Sequence, residues 1–356
     1  MIKVVKKQGR EAVIVTIVTI QIVLSWYLYD MKNSFTLPVF PLSAALLVTG
    51  LFTVVQIVPD KPMLAAERFF QGGGWIQIAL LAVYTFIIAR AMMDPSKSAT
   101  WRKRIWLIFC VVFFTQFLLG ILADERFLMT GKLHLPIPFM IVGGPVYRGE
   151  IGFMTILFLS TIVLSGPAWC SHFCYFGALD SLASKGRTDR KPLKNKWIWK
   201  GSLLVLVIFF ALLFRLLGFS GLQTLIPAIA LGIIGILVMV FISRKKGKMI
   251  HCVVFCPIGT LVNFLKYVSP FRMKIESSCT NCMRCLPSCK YDALNRVDIL
   301  NRKPGPTCTL CGDCVTECEV TAIRYNFFGF SAKNSRLIFL FITICLHVLC
   351  LGMGRL

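Results

Sequence analysis

Long apolar runs constrain the fold of this chain more than any other feature. Crossing a bilayer core of roughly 30 Å takes about 20 consecutive apolar residues in a helix, and runs of about that length recur along the 356 residues. We therefore predict an all-α polytopic membrane protein. The predicted spans are 11–29, 39–58, 74–92, 105–122, 151–168, 197–217, 223–243 and 337–354.

The basic residues are distributed as in a membrane protein rather than a nucleic-acid-binding protein. The chain has 39 Lys and Arg against 16 Asp and Glu, and basic clusters stand where apolar runs end, at 102–104, 185–196 and 244–248. Lys and Arg concentrate on the cytoplasmic side of membrane proteins and face anionic lipid there. This predicts a multi-pass protein of the bacterial cytoplasmic (inner) membrane that contacts lipid and binds no nucleic acid.

The cysteines are grouped as metal ligands rather than as disulfide partners. Of the 15 cysteines, all but three fall into C-x2-C or C-x3-C groups, and thiols that close along the chain suit metal better than cross-links. The other three, Cys110, Cys345 and Cys350, lie in apolar runs. We expect them to behave as small buried hydrophobic residues.

The densest group of cysteines has the spacing of a bacterial ferredoxin. The stretch CTNCMRCLPSC covers 279–289, and CTLCGDCVTEC covers 308–318. In a C-x2-C-x2-C-x3-C run the first three thiolates bind one 4Fe-4S cluster and the fourth binds the other cluster. The predicted ligand sets are Cys279, Cys282, Cys285 and Cys318 for one cluster, and Cys308, Cys311, Cys314 and Cys289 for the other.

Two details of these runs bear on the assignment. Lys290 and Glu319 follow the fourth cysteines, where proline is usual, so we expect an altered exit from each run. Zinc is the alternative metal, but zinc sites often include histidine, and neither run contains one. We therefore predict a small inserted α+β ferredoxin-like domain that carries two clusters, over residues 271–330.

A second cysteine pattern repeats within the apolar part of the chain. The segment WCSHFCYFGALDSL, 169–182, aligns with HCVVFCPIGTLVNF, 251–264. Each copy follows two apolar runs, which predicts two helical hairpins that each end in a cysteine loop. The coinciding positions are Cys170 with Cys252, Cys174 with Cys256, Gly177 with Gly259 and Leu179 with Leu261.

The two C-x3-C loops could supply four ligands to one shared site. Four thiols on one face would suit a third iron–sulfur centre or a mononuclear iron. Redox-active dithiols or simply buried thiols are the alternatives. His172 and His251 lie beside the cysteines and could be ligands or donors to them, although we favour ordinary polar residues at an interface. The predicted ligands are Cys170, Cys174, Cys252 and Cys256.

The order of the spans places all three cysteine groups on one side of the membrane. Two spans separate the C-x3-C loops and none separates the second loop from the ferredoxin-type runs, so all face the basic, cytoplasmic side. The N-terminal third is less certain in topology: either one of the first three runs does not cross, or the stretch 135–146 enters the membrane. The predicted division is 1–104, 105–270 for the two hairpins, 271–330, and 331–356 as a last transmembrane helix.

Two weaker motifs concern other cofactors. His347 lies alone in an apolar run, and His134 lies in a loop, so a haem with two histidine ligands is disfavoured. The stretch 94–100, DPSKSAT, resembles a signal for covalent flavin attachment, but Lys97 stands where a small hydroxyl residue is expected. We expect a capped helix start before Trp101 instead.

The segments GPAWCSHFCYFGALD and HCVVFCPIGTLVNF, with the double ferredoxin-type run, resemble the membrane polyferredoxins over roughly 105–330. The chain is similar to the quinol-dehydrogenase subunit of periplasmic nitrate reductase systems and to the C-terminal half of the nitrous oxide reductase maturation flavoprotein. The resemblance implies electron transfer between the quinone pool or a cytoplasmic donor and an extracytoplasmic redox enzyme, with a flavoprotein or multihaem cytochrome as partner. Tyr175 replaces the usual proline, which predicts a more open first loop.

We therefore expect a subunit that relays electrons at the membrane. Quinol dehydrogenase activity is the one enzymatic activity that it could have. The alternative from another class is a redox-sensing or metalloenzyme-assembly protein that uses its clusters as sensors. Ionisable residues around the apolar stretch 135–146 could bind a quinone headgroup, or they could be ordinary interfacial charges. They are Asp124, Glu125, Arg126, Tyr147, Arg148 and Glu150.

Overall fold

The computed structural model describes residues 39–60, 63–128, 137–186, 189 and 191–353. The predicted span 11–29 and His134 lie outside the described residues. The chain divides into two compact units. The first comprises residues up to 133 and from 337 onward, and the second comprises residues 134–336.

The predicted helical character is confirmed: the described chain is mostly helical with one small sheet. The helices are α1 Val39–Ile57, α2 Ala65–Phe69, α3 Gly73–Met93, α4 Pro95–Leu122, α5 Pro138–Arg148, α6 Phe153–Ser165, α7 Tyr175–Ala183, α8 Lys196–Leu216, α9 Gly221–Leu237, α10 Arg244–Lys246, α11 Pro257–Leu265, α12 Arg296–Leu300, α13 Asp313–Thr316 and α14 Ala332–Met353.

Seven helical segments of the described chain are long and apolar enough to cross a membrane. Each coincides with one of the predicted spans. The segments are Val39–Ile57, Gly73–Met93, Pro95–Leu122, Thr155–Phe173, Lys196–Leu216, Gly221–Lys246 and Ala332–Met353.

Apolar side chains of α1, α3 and α14 form the core of the first unit, with Phe40, Phe52 and Val348 fully buried. The three isolated cysteines, Cys110, Cys345 and Cys350, are all buried here, as expected. His347 is also buried, and its Nε2 lies 3.1 Å from the Tyr84 hydroxyl. At the start of α4 the Asp94 side chain accepts a hydrogen bond from the Ser96 amide at 2.9 Å, which is the predicted helix cap.

In the second unit, each copy of the cysteine repeat follows a helix and contains a π-helical turn, which is wider than an α-helical turn. The first passes from α6 through the 3-10 turn Gly166–Ala168 into the π-helical turn Trp169–Phe173. The second passes from α9 through the π-helical segment Val238–Ser243 and α10 into the π-helical turn His251–Phe255. A short α-helix follows each turn, α7 in the first copy and α11 in the second.

A two-stranded antiparallel sheet brackets the ferredoxin-type runs. Strand β1, Phe271–Ile275, pairs with β2, Ile323–Phe327, in the register Phe271 to Phe327 and Ile275 to Ile323. The first, third and fifth residues of β1 are buried, and the Phe271 and Phe327 rings lie 4.8 Å apart. The sheet therefore brings the beginning of one run close to the end of the other.

The stretch proposed as a quinone site is only partly described. Its apolar part forms α5, which has 11 residues and is about 16 Å long at 1.5 Å per residue, shorter than a bilayer core. Tyr147 at its end donates a hydrogen bond to the Phe219 carbonyl at 2.6 Å. Asp124 belongs to the first unit and Arg148 to the second, so a quinone site in this loop stays a prediction.

Candidate metal centres

The two C-x3-C loops adopt the same backbone conformation. In the first loop the Cys174 amide donates to the Trp169 carbonyl at 3.1 Å, and in the second the Cys256 amide donates to the His251 carbonyl at 2.8 Å. Both bonds span five residues, as in a π-helix. The repeat predicted from the sequence is therefore present in the backbone.

The expectation of a more open first loop is wrong. Cys174 and Cys256 precede their helices with nearly equal angles, φ −74° and ψ 114° against φ −83° and ψ 120°. Tyr175 and Pro257 both occupy the first helical position, where proline is favoured but not required, because that amide has no partner within the helix. Residues 169–174 are all buried, whereas Cys252 in the second loop is partly exposed.

Gly259, three residues after Cys256, allows the second loop to turn back on itself. A Cβ at Gly259 would lie 2.6 Å from the Cys252 carbonyl oxygen, closer than any side chain tolerates. The Ile258 and Gly259 amides hydrogen-bond the Cys256 thiol, and those of Phe176 and Gly177 bond the Cys174 thiol. Amides at a helix start stabilise a thiolate, although burial outweighs them here and raises the pKa of both thiols.

The structure brings the four C-x3-C thiols together. Burial raises the pKa of Cys252 well above its usual range, and negative charge on Cys256, Cys174 and Cys170 raises it further. Cys170, Cys174 and Cys256 are each less than one tenth exposed. Four thiols from two loops therefore converge in a site largely closed to water.

Two buried charged residues beside these thiols were missed by the sequence analysis. Lys200 on α8 is 1% exposed, and its charge counters the effect of burial on the pKa of Cys256. Asp180 on α7 is fully buried and accepts a hydrogen bond from the Cys252 amide at 3.0 Å. Lys200 falls in a span and Asp180 in a short helix, so neither has a sequence pattern that marks it.

The two histidines contact the loops but lie in different surroundings. His172 Nδ1 lies 3.0 Å from the Ser171 hydroxyl and 3.2 Å from the Ala168 carbonyl. The His251 ring packs against the rings of Phe176 and Phe255, with centroids 5.9 Å and 5.6 Å away. Burial lowers the pKa of His251 to about 3, so its imidazole is neutral.

The two ferredoxin-type runs share a pattern of left-handed backbone. Asn281 and Met283 in the first run have φ of 56° and 60°, and Leu310 and Gly312 at the same positions of the second have φ of 57° and 81°. Such angles are costly for residues other than glycine. Alternating hands of this kind turn successive amides toward one point and form an anion-binding concavity.

The exits of the two runs are also alike. Three residues after the fourth cysteine, Asp292 and Thr321 have φ of 52° and 48°. One residue later the Ala293 amide donates to Cys289 Sγ at 3.3 Å, and the Ala322 amide donates to Cys318 Sγ at 3.3 Å. Both exits are therefore closed by the same amide-to-sulfur contact, and an effect of the missing prolines stays a prediction.

Each predicted ligand set of these runs comes together in space. Burial raises the pKa of Cys285 to about 11, and charge on Cys318, Cys279 and Cys282 adds to the rise. Burial likewise raises the pKa of Cys314, with further contributions from Cys311, Cys308 and Cys289. The fourth cysteine of each run thus lies with the first three of the other, while its role as a ligand remains a prediction.

A cavity occurs among the second set. It is lined by Cys289, Cys308, Cys311 and Cys314 together with apolar residues such as Leu294. The Tyr325 hydroxyl donates to the Leu310 carbonyl at 3.0 Å and fixes the wall of this cavity. A Cβ at Gly312 would lie 2.5 Å from that hydroxyl, so the wall requires glycine there.

Direct hydrogen bonds join the first C-x3-C loop to both ferredoxin-type runs. The Tyr291 hydroxyl, two residues after Cys289, donates to the Cys170 carbonyl at 3.0 Å. The Ser171 hydroxyl donates to the Thr309 carbonyl, next to Cys308, at 2.9 Å. The C-x3-C thiols and the second ligand set are therefore neighbours.

A buried ion triad holds together three chain segments that lie next to the cysteine sets. Asp292 accepts from Lys248 at 2.5 Å and from Lys196 at 2.8 Å, and its side chain is 2% exposed. Burial alone would raise the pKa of Asp292, but the hydrogen bonds from the two lysines outweigh it and hold the pKa below its usual range. The triad ties the exit of the first run to the start of α8 and to the approach to the second loop.

The donor sets fit iron–sulfur clusters. Sulfur-only sets of four favour iron–sulfur clusters or zinc, and amides that donate to the sulfurs are among the features that tune clusters. Among the described residues, no group of three or more His, Cys, Asp or Glu side chains is placed to hold a single metal ion. A cubane has four irons and needs one thiolate at each, so its ligands do not meet at one point.

Comparisons with known proteins point the same way. Residues 148–200 and 225–276 match the family model of a 4Fe-4S binding domain; these two segments contain the two C-x3-C loops and end before Cys279. An uncharacterized protein of Methanocaldococcus jannaschii is 24% identical over 183 residues, which cover 48% of this chain and 69% of that protein. No solved structure matches. With the seven apolar helices, the domain match fits a membrane iron–sulfur protein.

Proposed function

We propose that this protein is a membrane-bound electron-transfer protein that passes electrons through three adjacent cysteine centres. The observation that carries the proposal is the pair of hydrogen bonds from the first C-x3-C loop to the residues beside Cys289 and Cys308. A lone cluster with a structural role needs no such neighbour. Adjacent centres of which one is buried among spans and another lies near water are what a relay requires.

The residues of the chain would divide the work in this way. Bound 4Fe-4S clusters supply centres that accept and release one electron each. Cys279, Cys282, Cys285 and Cys318 would hold the outermost cluster, where Cys282 is exposed. Cys289, Cys308, Cys311 and Cys314 would hold the next, and the four C-x3-C cysteines a third beside the spans. Apolar packing around the buried sets excludes water that would otherwise reach the sulfurs.

The electron donor and acceptor are proposed by class. A quinone in the bilayer or a cytoplasmic reductant would exchange electrons with one end of the relay, and a partner redox subunit would serve the other. All the cysteine groups are proposed to lie on the cytoplasmic side, because the loops 185–196 and 244–248 are basic. Transfer to the far face then needs a carrier other than these cysteines, since the hydrocarbon layer is about 30 Å thick.

Metal content and reduction kinetics test the proposal. Protein purified without oxygen is expected to contain iron and acid-labile sulfide for at least two 4Fe-4S clusters. Dithionite or a menaquinol analogue is expected to reduce these clusters rapidly. Zinc in place of iron would overturn the assignment. Clusters that stay oxidised with every donor, while their loss changes the binding of a partner protein, would favour the sensor function instead.

The sidedness can be tested separately with topology reporters. A reporter inserted within 185–195 or placed after residue 330 is expected to report a cytoplasmic location. A periplasmic reading at either position would contradict the arrangement of all cysteines on one side, without bearing on whether they hold clusters.

A further inference from the structure

A second cavity, of about 410 Å³, lies beside the second ligand set. Cys308 lines part of it, and Pro167 lines another part. Pro167 lies near the end of the membrane-length segment Thr155–Phe173. The cavity therefore lies beside the C-terminal half of a segment that is long and apolar enough to span a membrane.

The lining of this cavity has an excess of positive charge. Lys266, Arg272 and Lys303 line it, against the single carboxylate of Asp298, a formal balance of three minus one, or +2, before the charge of a cluster at Cys308 is counted. Within the described chain none of the three cations forms an ion pair. Burial lowers the pKa of Lys266, and the charges of Arg272 and Lys303 lower it further against an opposing effect of Cys308. An anion in the cavity would relieve this repulsion.

The cations are held in place by the backbone. Lys266 Nζ donates to the Pro306 carbonyl at 2.7 Å. The Arg272 guanidinium donates to the carbonyls of Lys266 and Tyr267, each at 3.0 Å. Such fixed charges bind an anion without first being ordered, which lowers the entropic cost of binding.

Exposed apolar residues stand next to the lining residues Lys266 and Tyr267 along the chain. Phe264, Tyr267 and Val268 are 61%, 66% and 62% exposed, and they stand at the end of α11 and just after it. The Tyr267 ring packs under both Lys266 and Arg272, at 5.3 Å and 5.9 Å. Aromatic and apolar residues beside basic ones are typical of the membrane interface.

We propose that this cavity binds the headgroup of an anionic phospholipid, with its phosphate among Lys266, Arg272 and Lys303 and its acyl chains over Phe264 and Val268. Basic pockets at the ends of spans recognise lipid phosphates. A free phosphate would satisfy the charge but would leave Phe264 and Val268 exposed, so the lipid is the occupant that matches both features. Asn301 and Asp298 also line the cavity and would be available to headgroup hydroxyls.

Native mass spectrometry of the full-length protein in a non-denaturing detergent tests this site. Phosphatidylglycerol is expected to stay bound at least about tenfold more than phosphatidylcholine. Lys266→Gln and Lys303→Gln are each expected to reduce that preference severalfold. Lys274→Gln is the matched control, because Lys274 is exposed on β1 and is not among the residues lining the cavity. Since Lys303 is exposed, its variant tests the site even where Lys266→Gln does not fold.

Soluble competitors separate the lipid from a free phosphate. Glycerol 3-phosphate at millimolar concentration is expected to displace little of the lipid, because it has no acyl chains to contact Phe264 and Val268. Displacement of the lipid by glycerol 3-phosphate or by inorganic phosphate at the same millimolar concentration would identify a soluble anion as the ligand and overturn the lipid proposal. Equal retention of both lipids, or an equal loss in Lys274→Gln and Lys303→Gln, would also overturn it. None of these outcomes depends on the clusters being redox-active.

Discussion

The C-x3-C loops and the ferredoxin-type runs both gather cysteines in fours, but they hold them in different ways. The loops use right-handed π turns that end at helix starts, and three of their four thiols are buried. The runs use left-handed residues at matching positions, and only Cys285 and Cys314 are buried. Water can therefore stabilise charge at the outermost set, where Cys282 is exposed, whereas the loops must obtain that stabilisation from protein groups.

That difference explains where the fixed charges lie. A cluster with four thiolates carries net negative charge, which is costly to bury without a compensating group. Lys200 is buried beside the loop thiols, and in the described chain it forms no ion pair with a carboxylate. The outer run instead has Arg284 and Glu319 paired at the surface. A buried lysine facing thiols favours a charged centre over two pairs of neutral thiols.

The largest effect is expected when one cysteine ligand is substituted in each kind of site. Cys285→Ser is expected to remove one EPR signal and about four irons, because a cubane rarely survives the loss of a thiolate, while the loop centre and the other run keep theirs. Cys174→Ser is expected to remove iron from the loops alone. Iron analysis and EPR of both variants check this. An unchanged iron content in Cys174→Ser would leave the loops as metal-free thiols.

Thiol reactivity in the metal-free protein gives the next effect. The Arg284 amide lowers the pKa of the exposed Cys282, whereas burial raises that of Cys174 well above its usual range. Because the thiolate is the reactive form, we expect iodoacetamide at pH 7.5 to modify Cys282 at least about 100-fold faster. Timed alkylation with peptide mass spectrometry measures the ratio, and denatured protein, in which both react alike, is the control. Similar rates in the folded protein would contradict the burial of the loops.

The same contrast shows how much of this molecule the sequence could predict. Seven spans were found because a bilayer demands long apolar runs. The two ligand sets were predicted because the C-x2-C-x2-C-x3-C spacing assigns the fourth cysteine of each run to the other cluster. The tyrosine at Tyr175 misled, since proline favours a conformation that this residue also reaches.

The contacts between distant segments were out of reach of the sequence. The hydrogen bond from Tyr291 to the Cys170 carbonyl joins residues 121 positions apart, and the ion triad at Asp292 joins three separate segments. Nothing in the spacing of these residues indicates that they meet. Lys200 was taken as part of a span, because a single lysine in an apolar run has the same pattern whether it faces lipid headgroups or thiols.

A stability effect is expected where the two kinds of site are tied together. Asp292→Asn keeps the shape and tolerates the left-handed backbone, but it leaves Lys248 buried without its carboxylate. Removing one partner of a buried pair costs about 3–5 kcal/mol. The thermal unfolding temperature in detergent measures the loss. Asp298→Asn is the control, because that carboxylate accepts an amide hydrogen bond from Asn295, which an asparagine oxygen can also accept.

The pH dependence of the same group has a definite sign. Since the folded pKa of Asp292 is lowered, its contribution to stability is present above the ordinary pKa of about 3.9 and is lost as the pH falls through the lowered value. Asp292→Asn should remove this acid sensitivity. Metal-free protein should be used for the titration, so that acid loss of the clusters does not obscure it, and an unchanged acid transition in the variant would contradict the assignment.

The last expected effect is confined to one centre and is the most informative about the loops. Lys200→Met removes the buried charge but keeps an apolar side chain of similar length, so the net negative charge of a cluster in the loops would lose its compensation. Coulomb's law with an effective dielectric constant near 20 puts that loss at up to about 4 kcal/mol. A redox titration followed by EPR should show a lower midpoint potential for the loop centre and no change at the runs. Lys200→Arg keeps the charge and should stay near the original potential. Equal potentials in all three proteins would mean that Lys200 serves packing alone and does not compensate the charge of a third cluster.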